Sequence, residues 1–175
     1  GAFYLFFESF PIVFIEIYHF TLIELGVSYL GFCVGCFLAF FVLALFQNFH
    51  LKKKFEDKTF VPEDLLLILL FVFWAFPASL FLFGWAAGTH WIVPMIAEVF
   101  FVIFCFNLFQ VTFSYLAFAY PTQTPAVFAG NGLFRSFFAC SMPLFGQAMY
   151  NNLAIDGYPI GWGSTIVGFF TLFLC

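Results

Sequence analysis

Residues 125–150 read PAVFAGNGLFRSFFACSMPLFGQAMY, and Arg135 is the single charged side chain among them. An α-helix needs about 20 apolar residues to cross the ~30 Å hydrocarbon core of a bilayer, so a run of this length predicts a spanning helix. An arginine held at mid-bilayer costs about 2.5–3.5 kcal/mol on insertion scales. Such a residue is expected to face a protein interior or a wet cavity and to have a partner. The stretch therefore predicts a polar pathway through a membrane, with Arg135 on it.

The rest of the chain agrees. It is 65% hydrophobic and 8% charged, with a mean hydropathy of +1.08, whereas soluble domains carry about 25% charged residues. A water-soluble protein of this composition could not cover its core with polar surface, so the partner surface is the lipid bilayer. Only five Lys and Arg occur, and Lys52, Lys53, Lys54 and Lys58 lie in one segment. No basic face for nucleic acid is left over. The five cysteines all lie in apolar runs. Cys33 and Cys36 form a C-x-x-C, but with no second pair and no nearby His it predicts no metal site. No nucleophile–base pair, phosphate loop or H-E-x-x-H motif suggests an enzyme.

Apolar runs fall at about 1–18, 26–46, 65–87, 92–116, 125–150 and from 163 onward, which predicts six helices. The chain opens with no initiator Met and no signal peptide, and residues 163–175 would span only ~20 Å, so the expectation is a bundle over 1–175 truncated at both ends. The connections carry turn residues: His19 to Gly26, Gln47 to Asp64, Gly88-Thr89-His90, Tyr120 to Pro125, and Asn151 to Gly161. Positive residues stay cytoplasmic, so the Lys-bearing connection 47–64 is expected inside. The first end and the Tyr120 turn then share that side. Trp85, Trp91, Tyr150 and Trp162 are expected as an aromatic belt on the outer side. Gly31 and Gly35 form a G-x-x-x-G that permits close helix approach. Pro77 and Pro143 each remove a helical hydrogen bond and are expected to kink or open their helices.

Inside these runs lie Glu8 in the first helix and Glu98 in the fourth, each flanked by apolar residues. An ionised carboxylate there must be paired, wetted or protonated, which suits a proton-coupled site. Asn107, Gln110 and Ser114 share one face of the fourth helix, while Glu98, Val102 and Cys105 lie on another. Asn131 and Arg135 are four apart on the fifth helix. Glu8, Glu98, Asn107, Gln110, Asn131 and Arg135 are the candidate substrate and proton pathway, and the fourth and fifth helices are expected to line the central cavity.

FESFPIVFIEIYHFTL (7–22), YLGFCVGC (29–36), FGWAAGTHWIVP (83–94) and above all VFAGNGLFRSFFACSMPLFGQAMYNNL (127–153) resemble the fungal drug:proton antiporters of the major facilitator superfamily, in particular the fluconazole and benomyl resistance transporters of yeasts. The similarity runs in order along essentially the whole chain. It implies an all-α integral membrane fold, the six-helix C-terminal half (helices seven to twelve) of a twelve-helix transporter. Each such half is built from two inverted three-helix units. It further implies export of hydrophobic or cationic drugs in exchange for protons at the plasma membrane, with the proton gradient rather than a cofactor as energy source. The missing N-terminal six-helix half would be the main partner. The alternative is a non-transporting membrane receptor or assembly module whose polar residues are structural. Convergence of Glu8, Glu98 and Arg135 on one cavity would favour transport, and lateral pairing at a helix contact the alternative.

Overall fold

Proline sets where the first helix changes course. Pro11 has no amide proton, and α1 (Ala2–Pro11) passes there into a π-helical stretch, Ile12–Ile17. His19 then turns the chain with φ 54°, a left-handed conformation that is uncommon for residues other than glycine, His being among those that adopt it more readily. In this computed structural model the described residues are 2–56, 61–86, 90–153 and 160–174. The expected Gly88 turn, much of the 151–161 connection and Lys58 lie outside them.

Helix α2 (Leu22–Ser28) starts on a capping box. The Thr21 hydroxyl accepts from the Glu24 amide at 3.4 Å and the Glu24 carboxylate from the Thr21 amide at 2.8 Å. The T-x-x-E spacing was available in the sequence as a helix start, so Glu24 has a defined capping role. After a turn at Tyr29 the chain continues as α3 (Leu30–Phe46), a π-helical stretch (Gln47–Leu51) and α4 (Lys52–Glu56). The connection expected over 47–64 is thus helical as far as Glu56. At Val61 the backbone amide donates to the Asp64 carboxylate at 3.1 Å. The Lys54 ammonium also binds Asp64, which fastens α4 to the start of the next helix.

The third predicted run divides into a 3-10 turn (Pro62–Leu66), α5 (Leu67–Val72) and α6 (Ala75–Ala86). Its break is the one Pro77 predicts. A proline ring clashes with the carbonyl four residues earlier, here that of Phe73. That carbonyl instead accepts from the Phe76 amide at 3.1 Å. Pro143 behaves differently: α8 (Thr124–Asn152) runs unbroken through it. Helix α7 (Ile92–Ala119) precedes α8, and α9 (Gly161–Leu174) closes the order.

Among the described residues there are only helices and turns. Among the described residues, three helical segments are long and apolar enough to cross a membrane: Leu22–Lys54, Pro62–Trp85 and Ile92–Ala119. Six such spans were predicted. Helix α8 is 29 residues long, but Asn131, Arg135 and Pro143 dilute its apolar character. The apolar helices Phe3–Ile15 and Gly161–Phe173 are shorter.

Helix α7 packs against α3 and α6, α6 against α9, and α1 against α8. Lipid offers no hydrophobic drive between helices, so these contacts rest on close packing. Gly35 supplies one approach: a β-carbon there would stand 2.8 Å from the β-carbon of Val102. Gly84 does the same between α6 and α9, facing Ser164. The core is phenylalanine. Phe6 stacks on Phe101 with ring centroids 4.0 Å apart, and Phe10 on Phe83 at 5.4 Å. Such pairs contribute about 0.5–1.5 kcal/mol beyond area burial. A smaller cluster of Leu43, Leu51, Leu65, Ile68 and Val111 joins α3, α5 and α7 near the lysines. Of the expected aromatic belt, Trp85, Trp91 and Trp162 are exposed, whereas Tyr150 is buried in the core.

Candidate functional site

Close packing of α3 on α7 leaves a cavity of about 370 Å³ beside their contact. Phe32 and Cys36 of α3, Phe3 of α1, Phe106, Phe109, Gln110 and Phe113 of α7, and Arg135 of α8 border it. The α7 contributors recur at helical spacing, so one stripe of that helix forms the wall. Phe3 meets Phe109 edge-on at 6.2 Å, and Phe113 meets Phe128 of α8 edge-on at 5.1 Å. The walls are therefore aromatic, with two polar groups set among them.

Those two are Gln110 and Arg135. The Arg135 guanidinium carbon lies 5.6 Å from the centre of the Phe109 ring, a cation–π arrangement. Arg135 is exposed, and among the described residues no carboxylate pairs with it. The expected partner is an aromatic face instead of a counter-ion. The physical reason lies in the helix arrangement: α8 turns this side away from Glu98 and toward the α7 aromatic stripe.

Glu98 is elsewhere. It is fully buried at the α3–α7 contact, where its carboxylate occupies the space a β-carbon on Gly31 would need. Neither carboxylate oxygen has a hydrogen-bond partner among the described residues. Asn107 is also fully buried; its amide donates to the Ile103 carbonyl at 2.8 Å, and its own carbonyl oxygen is unpartnered among the described residues. Asn131 is half-buried on α8 and does not border the cavity. Glu8 lies on α1, with its side chain outside the described residues. The structure thus brings Gln110 and Arg135 together and sets Glu98 and Asn107 apart from them. The cavity also draws on α1 and α3, beyond the two helices expected to line it.

Sequence reasoning missed Cys36, Phe109 and Phe113. Their signal was faint, since 34 of the 175 residues are Phe and the ones at a cavity look like the rest. A second cavity, about 420 Å³ between α5 and α7, is walled by Leu and Phe with Glu63 as its carboxylate. It offers little to orient a ligand. Among the described residues no group of three metal-ligating side chains occurs.

The chain is similar in sequence to known proteins. The chain is 58% identical to the multidrug transporter FLR1 of Candida glabrata over 98% of its own length and 31% of that protein's. It is 56% identical to fluconazole resistance protein 1 of Saccharomyces cerevisiae, with the same two coverages of 98% and 31%. The MFS-type transporter atr4 of Stereocaulon alpinum is 34% identical over 100% of the chain and 31% of its own length. The chain spans about a third of the length of these curated relatives. No family model and no solved structure matches it.

Proposed function

We propose, from the premise that the chain belongs to the major facilitator superfamily of membrane transporters, that it forms part of a multidrug exporter driven by protons. The observation that carries this reading is the phenylalanine-walled cavity holding Gln110 and Arg135. An apolar aromatic enclosure with a few polar groups is the usual form of a small-molecule site, and aromatic walls tolerate many shapes. Arg135 and Gln110 would orient the drug. Glu98, Asn107, Asn131 and Glu8 would serve the proton side of the cycle. On this reading the chain supplies helices seven to twelve, the lysine segment 47–64 faces the cytoplasm, and a second six-helix half completes the cavity. The carrier works in the plasma membrane on fluconazole-like drugs, with the proton gradient as its only energy source and no cofactor.

The test is efflux by the complete transporter in a yeast strain stripped of its own drug exporters. Expression should lower fluconazole accumulation, and a protonophore should abolish the difference. Accumulation that expression leaves unchanged overturns the reading. A second reading is favoured by one specific observation: Glu98 sits in a helix contact, away from Arg135. In that case the buried polar groups are structural and the chain belongs to a non-transporting receptor or assembly module. Efflux that is drug-specific and proton-dependent excludes it.

A further inference from the structure

The lysine-bearing end of the long α3 segment carries a second, unrelated feature. The apolar segment Leu22–Lys54 has 33 residues and turns once, at Tyr29; the part beyond that turn, Leu30 to Lys54, is ~37 Å long at 1.5 Å per residue. The hydrocarbon core is about 30 Å thick, and about 40–45 Å with headgroups. Its last turns, ending at Lys54, therefore reach headgroup level. There a cavity of about 400 Å³ opens between this segment, the end of the 3-10 turn at Pro62–Leu66 and the last turns of α7. Its polar lining is Lys52, Gln47, Asn48 and Ser114, and its apolar lining is the buried Leu51 and Leu65 with the exposed Phe118.

The three described lysines have different settings. Lys54 is committed to Asp64. Lys52 and Lys53 are both exposed, and no carboxylate pairs with either among the described residues. Only Lys52 borders the cavity. A cation with two amides, a hydroxyl and an apolar lining matches one ligand chemistry: a phosphodiester whose ester carries hydrocarbon. We propose that this cavity is a binding site for an anionic phospholipid. The Lys52 ammonium meets the headgroup phosphate, Gln47, Asn48 and Ser114 hydrogen-bond its oxygens, and the first acyl carbons lie on Leu51, Leu65 and Phe118. Positive residues near a membrane helix end mark the cytoplasmic side, where anionic lipids are concentrated. A free phosphate or soluble phosphoester would use the polar lining and leave the apolar lining bare, so the lipid is the occupant that uses the whole cavity.

The experiment is electron paramagnetic resonance of spin-labelled phosphatidylserine with the complete transporter in phosphatidylcholine nanodiscs. Labelled phosphatidylcholine serves as reference. The motionally restricted fraction should favour phosphatidylserine, and Lys52→Gln should cut that preference about fivefold, the weight of one juxtamembrane lysine. Lys53→Gln should change it little, and Lys52→Arg should retain most of it, which separates charge loss from misfolding. Water-soluble glycerophosphoserine should not compete. Equal losses in Lys52→Gln and Lys53→Gln would mean diffuse surface attraction and overturn the site. Competition by glycerophosphoserine would overturn the lipid as its occupant.

Discussion

The carboxylate of Glu98 fills the space in which Gly31 would otherwise carry a side chain. One turn along both helices, Gly35 meets Val102 in the same way. The G-x-x-x-G of α3 and the pair Glu98/Val102 of α7 are thus the two sides of one contact. A motif read as generic helix packing turns out to be the receptor for the one acid of α7.

The two glycines should respond differently to alanine. At Gly35 the obstacle is the Val102 β-carbon, fixed to the α7 backbone, so Gly35→Ala forces the helices apart and should cost about 1–3 kcal/mol, as overpacking does. At Gly31 the obstacle is the flexible end of Glu98. Gly31→Ala should therefore be milder, and its cost should shrink further in combination with Glu98→Ala, a coupling between contacting residues. Thermal unfolding of the purified variants in detergent checks both. Equal midpoints for the two glycine variants would contradict the contact.

Glu98 is fully buried with both oxygens unpartnered among the described residues, which is costly for an ionised group within a membrane. Glu98→Gln keeps the volume and removes the capacity to ionise. If the residue exchanges a proton during transport, the variant should be abundant and should flatten the pH dependence of drug efflux. The measurement is efflux across a pH series, with neutral and cationic drugs side by side. An unchanged profile would make Glu98 a spacer against Gly31.

Arg135 should be removable without loss of the fold. A buried ion pair broken on one side costs about 3–5 kcal/mol, but the partner of Arg135 is the Phe109 ring and the site is exposed. A cation–π contact in such a setting contributes about 0.5–1 kcal/mol. Arg135→Ala protein should therefore accumulate at near-normal levels while losing export. Arg135→Lys, which keeps the charge and loses the planar fork, should export poorly. Immunoblotting and drug efflux measured together decide it; full activity of abundant Arg135→Lys protein would deny the guanidinium a role.

Three of the six predicted spans are helices of membrane length among the described residues, because length and apolar composition identify such segments directly. Pro77 and its break were legible for a local steric reason. The way the helices face one another was not. In a soluble bundle the polar side of a helix reveals its orientation, but in lipid both sides of α3 and α7 are apolar. Nothing in the sequence turns Glu98 toward Gly31 and Gln110 toward Arg135. Pro11 and its π-helical continuation were passed over because an apolar run continues through them. The lysines of α4 read as a loop because charge ends an apolar run, although charge does not end a helix.

The most direct test of the proposed pathway uses a native thiol. Cys36 borders the cavity, while Cys33, one turn earlier on α3, is exposed away from it. With the other cysteines replaced in the complete transporter, Cys36 should react with a water-soluble maleimide, and saturating fluconazole should slow that reaction. Labelling of Cys33 in the matched variant should not respond to the drug. A Cys36 that never labels, or one whose labelling rate is indifferent to every exported drug, would contradict the assignment of this cavity to the transport path.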